Sequence, residues 1–293
     1  GRAWLRASPE LHMKRLLAAG CTRVFQLGPC FRSGECGSRH NPEFTLLEWY
    51  RAHQGWQAVA ADVEALSASL AERLHGTPRV VYQGAVVDLT PPWPRMTVAE
   101  ALERWAGLRL TGDAALGDAE ALAALCRERG YRLPSPVPAA DGGPAALRWD
   151  DVFFSVFLDH VDPHLGMPEH PGEDARPLVL YDWPRALCAL ARISPDNPAV
   201  VERFEAYALG LELCNGFGEL CDPQEQRRRF EADLRERVRR GLPQYPIDER
   251  FLAALEEGMP PAGGVALGVD RLLMLLLDAR TLSEVLAFTV LEL

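Results

Sequence analysis

The sequence predicts an α+β fold. Three observations carry that reading: β-prone runs that double back across polar loops, helical stretches with legible start and stop signals, and the interleaving of both along a chain with no internal repeat. Pro9 to Ala19 reads as a helix that Gly20 terminates. The apolar run from Val24 through Leu27 to Phe31, a polar loop, and the run Phe44 to Tyr50 read as strand, loop, strand. A helix follows from about Trp56 to Leu74, and Val80 to Leu89, with Gln83-Gly84 inside it, reads as a strand pair. Thr97 is a good N-cap, and Glu100 three residues on makes a capping box for a helix to Trp105. Gly107 to Pro144 is rich in Ala, Gly, Pro and acid and reads as a surface excursion with a helix near Ala119 to Arg129. Trp149 to Val161 reads as an apolar helix, Leu178 to Tyr181 as a buried strand, and Arg203 to Leu213 as one long alternating strand. Gly263 to Arg271 is a glycine-rich turn that leads into the apolar run Leu272 to Leu277.

Composition bounds the function classes. With 293 residues and 48% hydrophobic content, the chain can bury a large core. No apolar run reaches membrane-spanning length and no N-terminal signal pattern is visible. Seven cysteines form no C-x-x-C pair, and the odd count argues for reduced thiols in a cytoplasm rather than a disulfide framework. A net charge of −10 disfavours general nucleic-acid binding. The exception is a basic helix from Gln226 to Arg240, with Phe230, Leu234 and Val238 spaced for burial. It reads as a solvated outer face, or alternatively as a dock for an acidic partner protein. His160, His164 and His170 lie among prolines and acids, which favours a surface loop over zinc. Trp49, Trp93 and Cys214 read as packing residues.

Three blocks carry chemistry. In the first, Phe31-Arg32-Ser33-Gly34-Glu35 runs through Arg39-His40-Asn41-Pro42-Glu43-Phe44 to Glu48-Trp49-Tyr50 and holds cationic and amide groups at a hairpin mouth. Such an arginine can neutralise a phosphate and the charge that develops on it during transfer. In the second, glycines up to Gly268 allow close backbone approach to a ligand, the next helix starts with free N–H groups, and Arg271 adds a fixed charge. The third, Gly210-Leu211-Glu212-Leu213-Cys214-Asn215-Gly216-Phe217-Gly218-Glu219, sets two carboxylates and an amide on one segment. Alternation would put Glu212 on one face with Gly210 and Cys214. Beside a polyphosphate these acids call for a divalent ion, Mg²⁺; by themselves they could equally be the exposed acids of a hairpin turn.

Together the first two blocks resemble motifs 2 and 3 of the class II aminoacyl-tRNA synthetases. That resemblance implies the family's catalytic fold, an antiparallel β-sheet flanked by helices, over residues 1–293 with an insertion at about 77–148. Ser8-Pro9-Glu10-Leu11-His12-Met13-Lys14-Arg15, His40-Asn41-Pro42-Glu43-Phe44 and Gly264-Val265-Ala266-Leu267-Gly268 are more closely similar to the elongation factor P–lysine ligase family, a truncated relative of lysyl-tRNA synthetase. The likeness runs from about Trp4 to Thr289 and is weakest between Thr77 and Arg148.

The resemblance implies an ATP-dependent ligase that activates lysine or (R)-β-lysine as an adenylate and attaches it to a lysine of elongation factor P. By the same resemblance Arg32 holds the α-phosphate and Arg271 the γ-phosphate side as catalytic groups. Gly34, Glu35, Asn41, Glu212, Leu213 and Gly268 complete the ATP site, and Glu212 and Glu219 ligate Mg²⁺. Ser8, Glu10, Glu48, Tyr50, Asn215, Glu219 and Ala266 form the amino-acid pocket. Acids there suit a lysine-like ammonium, which needs a carboxylate when desolvated. Ala266 stands where lysyl-tRNA synthetases carry glycine, so one extra methyl group reshapes the pocket floor. Motif 2 also departs from the family's Arg-x-Glu: Gly34 takes the glutamate's place and Glu35 follows one step later. The family's motif 1, which builds its dimer interface, would precede Ser8, so the expectation is a homodimer whose contact that segment completes. Two alternatives stand beside this reading: the catalytic core of a lysyl-tRNA synthetase acting on tRNA-Lys, and a degenerate synthetase-like regulatory module.

Overall fold

The computed structural model describes residues 4–138, 140, 143–188 and 190–292. A seven-stranded sheet organises the chain. In chain order its strands are β1 (Arg23–Phe31), β2 (Glu43–Ala52), β5 (Arg95–Thr97), β6 (Leu178–Pro184), β7 (Val200–Ala208), β8 (Leu211–Gly218) and β9 (Ala262–Gly268), while β3 (Arg79–Tyr82) and β4 (Ala85–Asp88) form a separate ribbon. Across the sheet the order is β1-β2-β9-β8-β7-β6-β5. Every pairing is antiparallel except β5 with β6, so the sheet is mixed rather than purely antiparallel.

The first hairpin follows the expected line: β1 and β2 pair from Arg23↔Arg51 to Phe31↔Glu43, leaving the polar residues between them as an overhanging loop. Helix α1 (Glu10–Ala18) precedes β1, and helix α2 (Trp56–His75) follows β2. Gly76 ends α2 in the left-handed region (φ 74°) with its N–H on the Glu72 carbonyl, a conformation glycine adopts without a Cβ penalty. The β3–β4 turn has positive φ at both Gln83 and Gly84, the twist a two-residue hairpin demands.

Helices α3 (Val98–Ala101), α4 (Gly112–Leu116), α5 (Ala119–Glu128) and α6 (Trp149–Val156) gather at the β5–β6 end of the sheet. The Thr97–Glu100 capping box is present, and the helix it starts continues as a wider turn over Leu102–Ala106. The apolar helix expected to Val161 likewise widens over Phe157–Val161. The region read as a surface excursion supplies core: Leu108, Ala114, Leu122, Ala123 and Cys126 are buried with Trp149, Phe153 and Trp183. Its small, Ala-rich composition hid that role, because alanine packs closely without a strong apolar signal. His164 stacks on Trp105 and His160 packs on Tyr131.

One face of the sheet rests on α2 and on α9 (Val269–Leu277), through Val59, Val63, Val265, Leu267, Met274 and Leu275. Trp93 and Cys214 are buried in that same core. The opposite face is flanked by α1 and α8 (Glu249–Gly258) at one end, where Met13, Leu17, Phe251 and Leu255 pack on Tyr50 and Ala52. The middle of this face is left uncovered by helices and forms the cleft described below. Helix α7 (Pro223–Arg239) is the expected basic helix, but Val238 is 42% exposed and only Gln226 is fully buried on it. Its arginines are largely answered by neighbouring acids: Arg228 and Arg229 by Glu225, Arg227 by Glu249, and Arg240 by Glu236 and Asp150. No helix among the described residues is long and apolar enough to cross a membrane.

The single long strand expected over Arg203 to Leu213 is two strands. Leu209 (φ 48°) and Gly210 (φ 68°) both sit in the left-handed region and reverse the chain between β7 and β8. Alternating side chains run through the turn, so periodicity alone gave no break.

Candidate active site

The register of four adjacent strands builds a row of side chains across the uncovered face: Glu48 of β2 lies opposite Ala266 of β9, Ala266 opposite Asn215 of β8, and Asn215 opposite Glu205 of β7. Two residues further along each strand, the next row is Tyr50, Gly264, Phe217 and Arg203. Strand alternation puts both rows on the same face. A bulge adds one more member. Ala206 pairs with Cys214 and Tyr207 with Glu212, so Leu213 has no partner and the alternation of β8 slips by one. Glu212 therefore joins Asn215 on the cleft side while Cys214 turns into the core, correcting the expectation that Glu212 and Cys214 share a face.

At the end nearest the first hairpin loop the cleft is cationic. Arg32, Glu35, Arg39, His40 and Asn41 meet Glu212, Leu213, Asn215, Ala266, Gly268 and Arg271 around it. Arg32 is half exposed, lies 5.0 Å over the Phe44 ring and has Glu35 at 3.7 Å. Gly34 forms the turn between them in the left-handed region (φ 84°), where a glutamate side chain would carry backbone strain, and Glu35 is the acid that reaches the cleft. Gly268 caps α9, and Arg271 projects from that helix's first turn. Its guanidinium donates to the Glu212 carbonyl at 3.2 Å and carboxylate at 3.4 Å, to His40 Nε2 at 2.7 Å and to the Arg39 carbonyl at 3.3 Å. Burial and then the Arg271 charge lower the His40 pKa, which keeps the ring neutral and its Nε2 an acceptor.

Asn41, expected in the ATP site, lines the cationic end and is also held by backbone. Its amide donates to the Glu43 carbonyl at 2.7 Å, and its oxygen accepts from the Val290 N–H at 3.0 Å. The side chain thus ties the loop to the C-terminal segment, and both its polar ends are already engaged by backbone.

Glu212 and Glu219 lie at opposite ends of β8, roughly 20 Å of extended strand apart, so they do not share one ion as the sequence suggested. The neighbour of Glu212 is Glu205, which sequence reading missed. Glu205 is buried and accepts from Arg203 Nη2 at 2.5 Å, from Asn215 Nδ2 at 3.0 Å and from the Tyr207 hydroxyl. Arg203 also lies 4.4 Å over the Trp183 ring. Burial, then Glu205, raises the Glu212 carboxyl to about 7, against the opposing charges of Arg271 and Arg203. Two neighbouring carboxylates are a donor set for a divalent cation completed by phosphate oxygens. Among the described residues no group of three or more His, Cys, Asp or Glu side chains gathers for a metal. The alternation Arg203-x-Glu205-x-Tyr207 was the available signal, obscured by reading β7 and β8 as one strand. Asp270, also missed, accepts from the Thr45 N–H at 2.8 Å and pins β2 to α9.

The other end of the row is acidic. The Ser8 hydroxyl donates to Glu48 at 2.7 Å and the Tyr50 hydroxyl to Glu48 at 2.5 Å. Burial, then the nearby Glu10, raises Glu48 to about 7. Glu219 is buried just beyond the end of β8; burial pushes its carboxyl up and the ammonium of Lys14 opposes that push. A Cβ on Gly264 would lie 2.2 Å from Glu219 Oε1 and 2.3 Å from the Tyr50 ring, so only glycine leaves room for both. Ser8, Glu10, Glu48, Tyr50 and Glu219 therefore cluster at this end, with Ala266 and Asn215 joining them to the cationic end.

Comparison with known proteins bears on this layout. The family profile described as tRNA synthetases class II (D, K and N) matches residues 2–292. A lysine–tRNA ligase of Moorella thermoacetica is 39% identical over 285 residues, covering 97% of this chain and 54% of the relative. An elongation factor P–(R)-β-lysine ligase of Haemophilus influenzae is 39% identical over 287 residues, covering 98% of this chain and 77% of the relative. One from Klebsiella pneumoniae is 41% identical, with the same coverage of 98% and 77%. The chain thus spans about half the length of the tRNA ligase it matches and about three quarters of the elongation factor P ligases.

Proposed function

Because the chain belongs to the class II tRNA synthetases of the D, K and N group, we propose that it is an ATP-dependent ligase that activates lysine or (R)-β-lysine and transfers it to a lysine of elongation factor P. One observation carries the reading. A single sheet face bears a cationic cradle, Arg32 and Arg271, at one end and a cluster of largely buried acids, Glu10, Glu48 and Glu219, at the other. An anionic triphosphate and a cationic amino acid are thereby held head to head, with Asn215 and Ala266 between them.

In the first step a carboxylate oxygen of the amino acid attacks the α-phosphorus of ATP. The bond from that phosphorus to the bridging oxygen of the β-phosphate breaks, and pyrophosphate leaves with the electron pair. Alignment and charge neutralisation supply most of the catalysis in such a displacement. Arg32 serves the α-phosphate and Arg271 the γ-phosphate side. Neutral His40 orients Arg271 by accepting from it. Glu205 and Glu212 fit Mg²⁺, which when bound would offset phosphate charge. In the second step an acceptor amine attacks the acyl carbon, AMP departs and the amine loses a proton.

Transfer to tRNA-Lys is the second reading, favoured by the 39% identity to a lysine–tRNA ligase. Identities of 39–41% to several elongation factor P ligases and the net charge of −10 support the protein acceptor. A homodimer is part of the proposal: β1 is an edge strand with Phe25 75% and Leu27 59% exposed, an apolar margin suited to a two-fold contact. A cytoplasmic setting accords with thiols that are all unpaired.

The test is amino-acid-dependent ATP–pyrophosphate exchange, followed by transfer of labelled lysine or β-lysine to elongation factor P and to tRNA-Lys. Arg32→Ala and Arg271→Ala should each cost about 3 kcal/mol of transition-state stabilisation, a loss on the order of a hundredfold. Exchange that survives both substitutions largely intact, or is absent from the wild-type protein, would remove the proposal.

A further inference from the structure

Among the described residues Lys14 is the one cation built into the acidic cluster, and nothing in the proposed reaction uses it. It projects from α1 one helical turn after Glu10 and is 0% exposed. Its ammonium lies 2.7 Å from Glu10 Oε1 and 2.5 Å from Glu219 Oε2. Burial by itself would lower its pKa, but the two carboxylates carry it above the ordinary lysine value, so Lys14 is charged. A buried lysine is tolerated only when paired, and this one is paired twice, from different elements of the fold.

The surrounding charges give it a purpose. Glu10 from α1, Glu48 and Tyr50 from β2, and Glu219 and Cys221 after β8 lie around this end of the site, with Arg192 the next cation outward. With all three acids ionised, Lys14 leaves a surplus of two negative charges. Lysine and β-lysine each carry two ammonium groups, so the surplus matches the substrate class of the proposed pocket. Glu219 Oε1 has no hydrogen-bond donor. It packs beside the Tyr50 ring in the room that the absent Cβ of Gly264 provides, a buried acceptor with no donor of its own. Without Lys14, like-charged Glu10 and Glu219 would separate or take up protons, and either response removes the acceptor that an ammonium needs.

We infer that Lys14 is a positioning residue for amino-acid recognition: an internal ammonium that clamps Glu10 to Glu219 and so presents the free oxygen of Glu219 to the substrate's amine. This rests on the amino-acid pocket proposed above. It separates Lys14 from the ATP end of the cleft, whose lining does not include it.

Lysine-dependent ATP–pyrophosphate exchange by the full chain tests the inference with Lys14→Met, which keeps the length of the side chain and removes its charge. The expected result is a KM for lysine raised at least tenfold, with the KM for ATP unchanged and kcat at saturating lysine within about threefold of wild type. A general structural role would instead degrade both KM values and kcat together. Should Lys14→Met not fold, the comparison moves to Glu10→Gln, where the amide oxygen at position 10 still accepts from Lys14, against Glu10→Gln/Lys14→Met, in which one buried carboxylate rather than two loses its counter-charge. The double variant is then expected to show the further tenfold rise in lysine KM. An unchanged lysine KM in either comparison, or equal losses toward lysine and ATP, overturns the role of Lys14. Absence of lysine-dependent exchange in the wild-type protein would instead overturn the pocket on which the inference rests.

Discussion

Glu48→Gln should stabilise the ligand-free protein at high pH and leave it unchanged at low pH. Glu48 is 2% exposed, and its two oxygens accept from the Ser8 and Tyr50 hydroxyls. Glutamine is nearly isosteric and can keep both contacts, because a hydroxyl can turn to accept from the new amide. What changes is the charge. The folded protein raises this carboxyl from 4.5 to about 7, through burial first and the Glu10 charge second. A carboxyl raised on folding stabilises the native state below its unfolded pKa, and that contribution is lost as pH climbs through the folded value. Between about pH 4.5 and 7 the wild-type protein should therefore lose stability that the variant never had to lose, and the gap should level off above pH 7. At 1.36 kcal/mol per pH unit the full effect is about 3 kcal/mol, or roughly 6 °C in Tm for a chain of this size. Glu212 titrates in both proteins and cancels in the difference, while Glu219, raised in part by the Glu48 charge, is raised less in the variant and widens the gap in the same direction. Thermal melts of the two proteins at pH 5 and pH 8, without ligand, make the comparison. A Tm difference that is the same at both pH values, or a variant less stable at pH 8, would refute the reasoning.

Two further substitutions probe the pocket and its support. Gly264→Ala places a methyl group where Glu219 Oε1 and the Tyr50 ring stand, at 2.2 and 2.3 Å, and both must give way. We expect about 1–3 kcal/mol of overpacking in a urea melt and a KM for lysine raised at least tenfold in pyrophosphate exchange. Asn41→Ala removes two hydrogen bonds, one donated to the Glu43 carbonyl and one accepted from the Val290 N–H, the second of which joins the hairpin loop to the C-terminal segment. At about 1 kcal/mol each, stability should fall by ~2 kcal/mol, and amide exchange should quicken first at Val290.

The charged groups of the cationic end were legible in the sequence because their motifs are residue types held at short range. Arg32 and Arg271 are read from blocks whose glycines and flanking apolar runs announce a hairpin and a strand-to-helix turn, and the structure places both around one cleft. The helices expected from Pro9 and Trp56 and the capping box at Thr97 follow from local signals in the same way. Pairing across the sheet was not legible. Which acid stands beside Glu212 depends on a turn at Leu209-Gly210 and a one-residue bulge at Leu213, and neither interrupts the hydrophobic alternation. The structure accordingly moved Glu219 away from Glu212 and brought Glu205 in. No local signal marks Lys14, four residues after Glu10, as buried; only the end of β8 folded against α1 pairs it with Glu219. The sequence by itself determined which charged groups are available and the local elements that present them. Only the tertiary structure decided which of them meet, because strand register and burial, both products of long-range packing, set the distances and surroundings on which charge interactions depend.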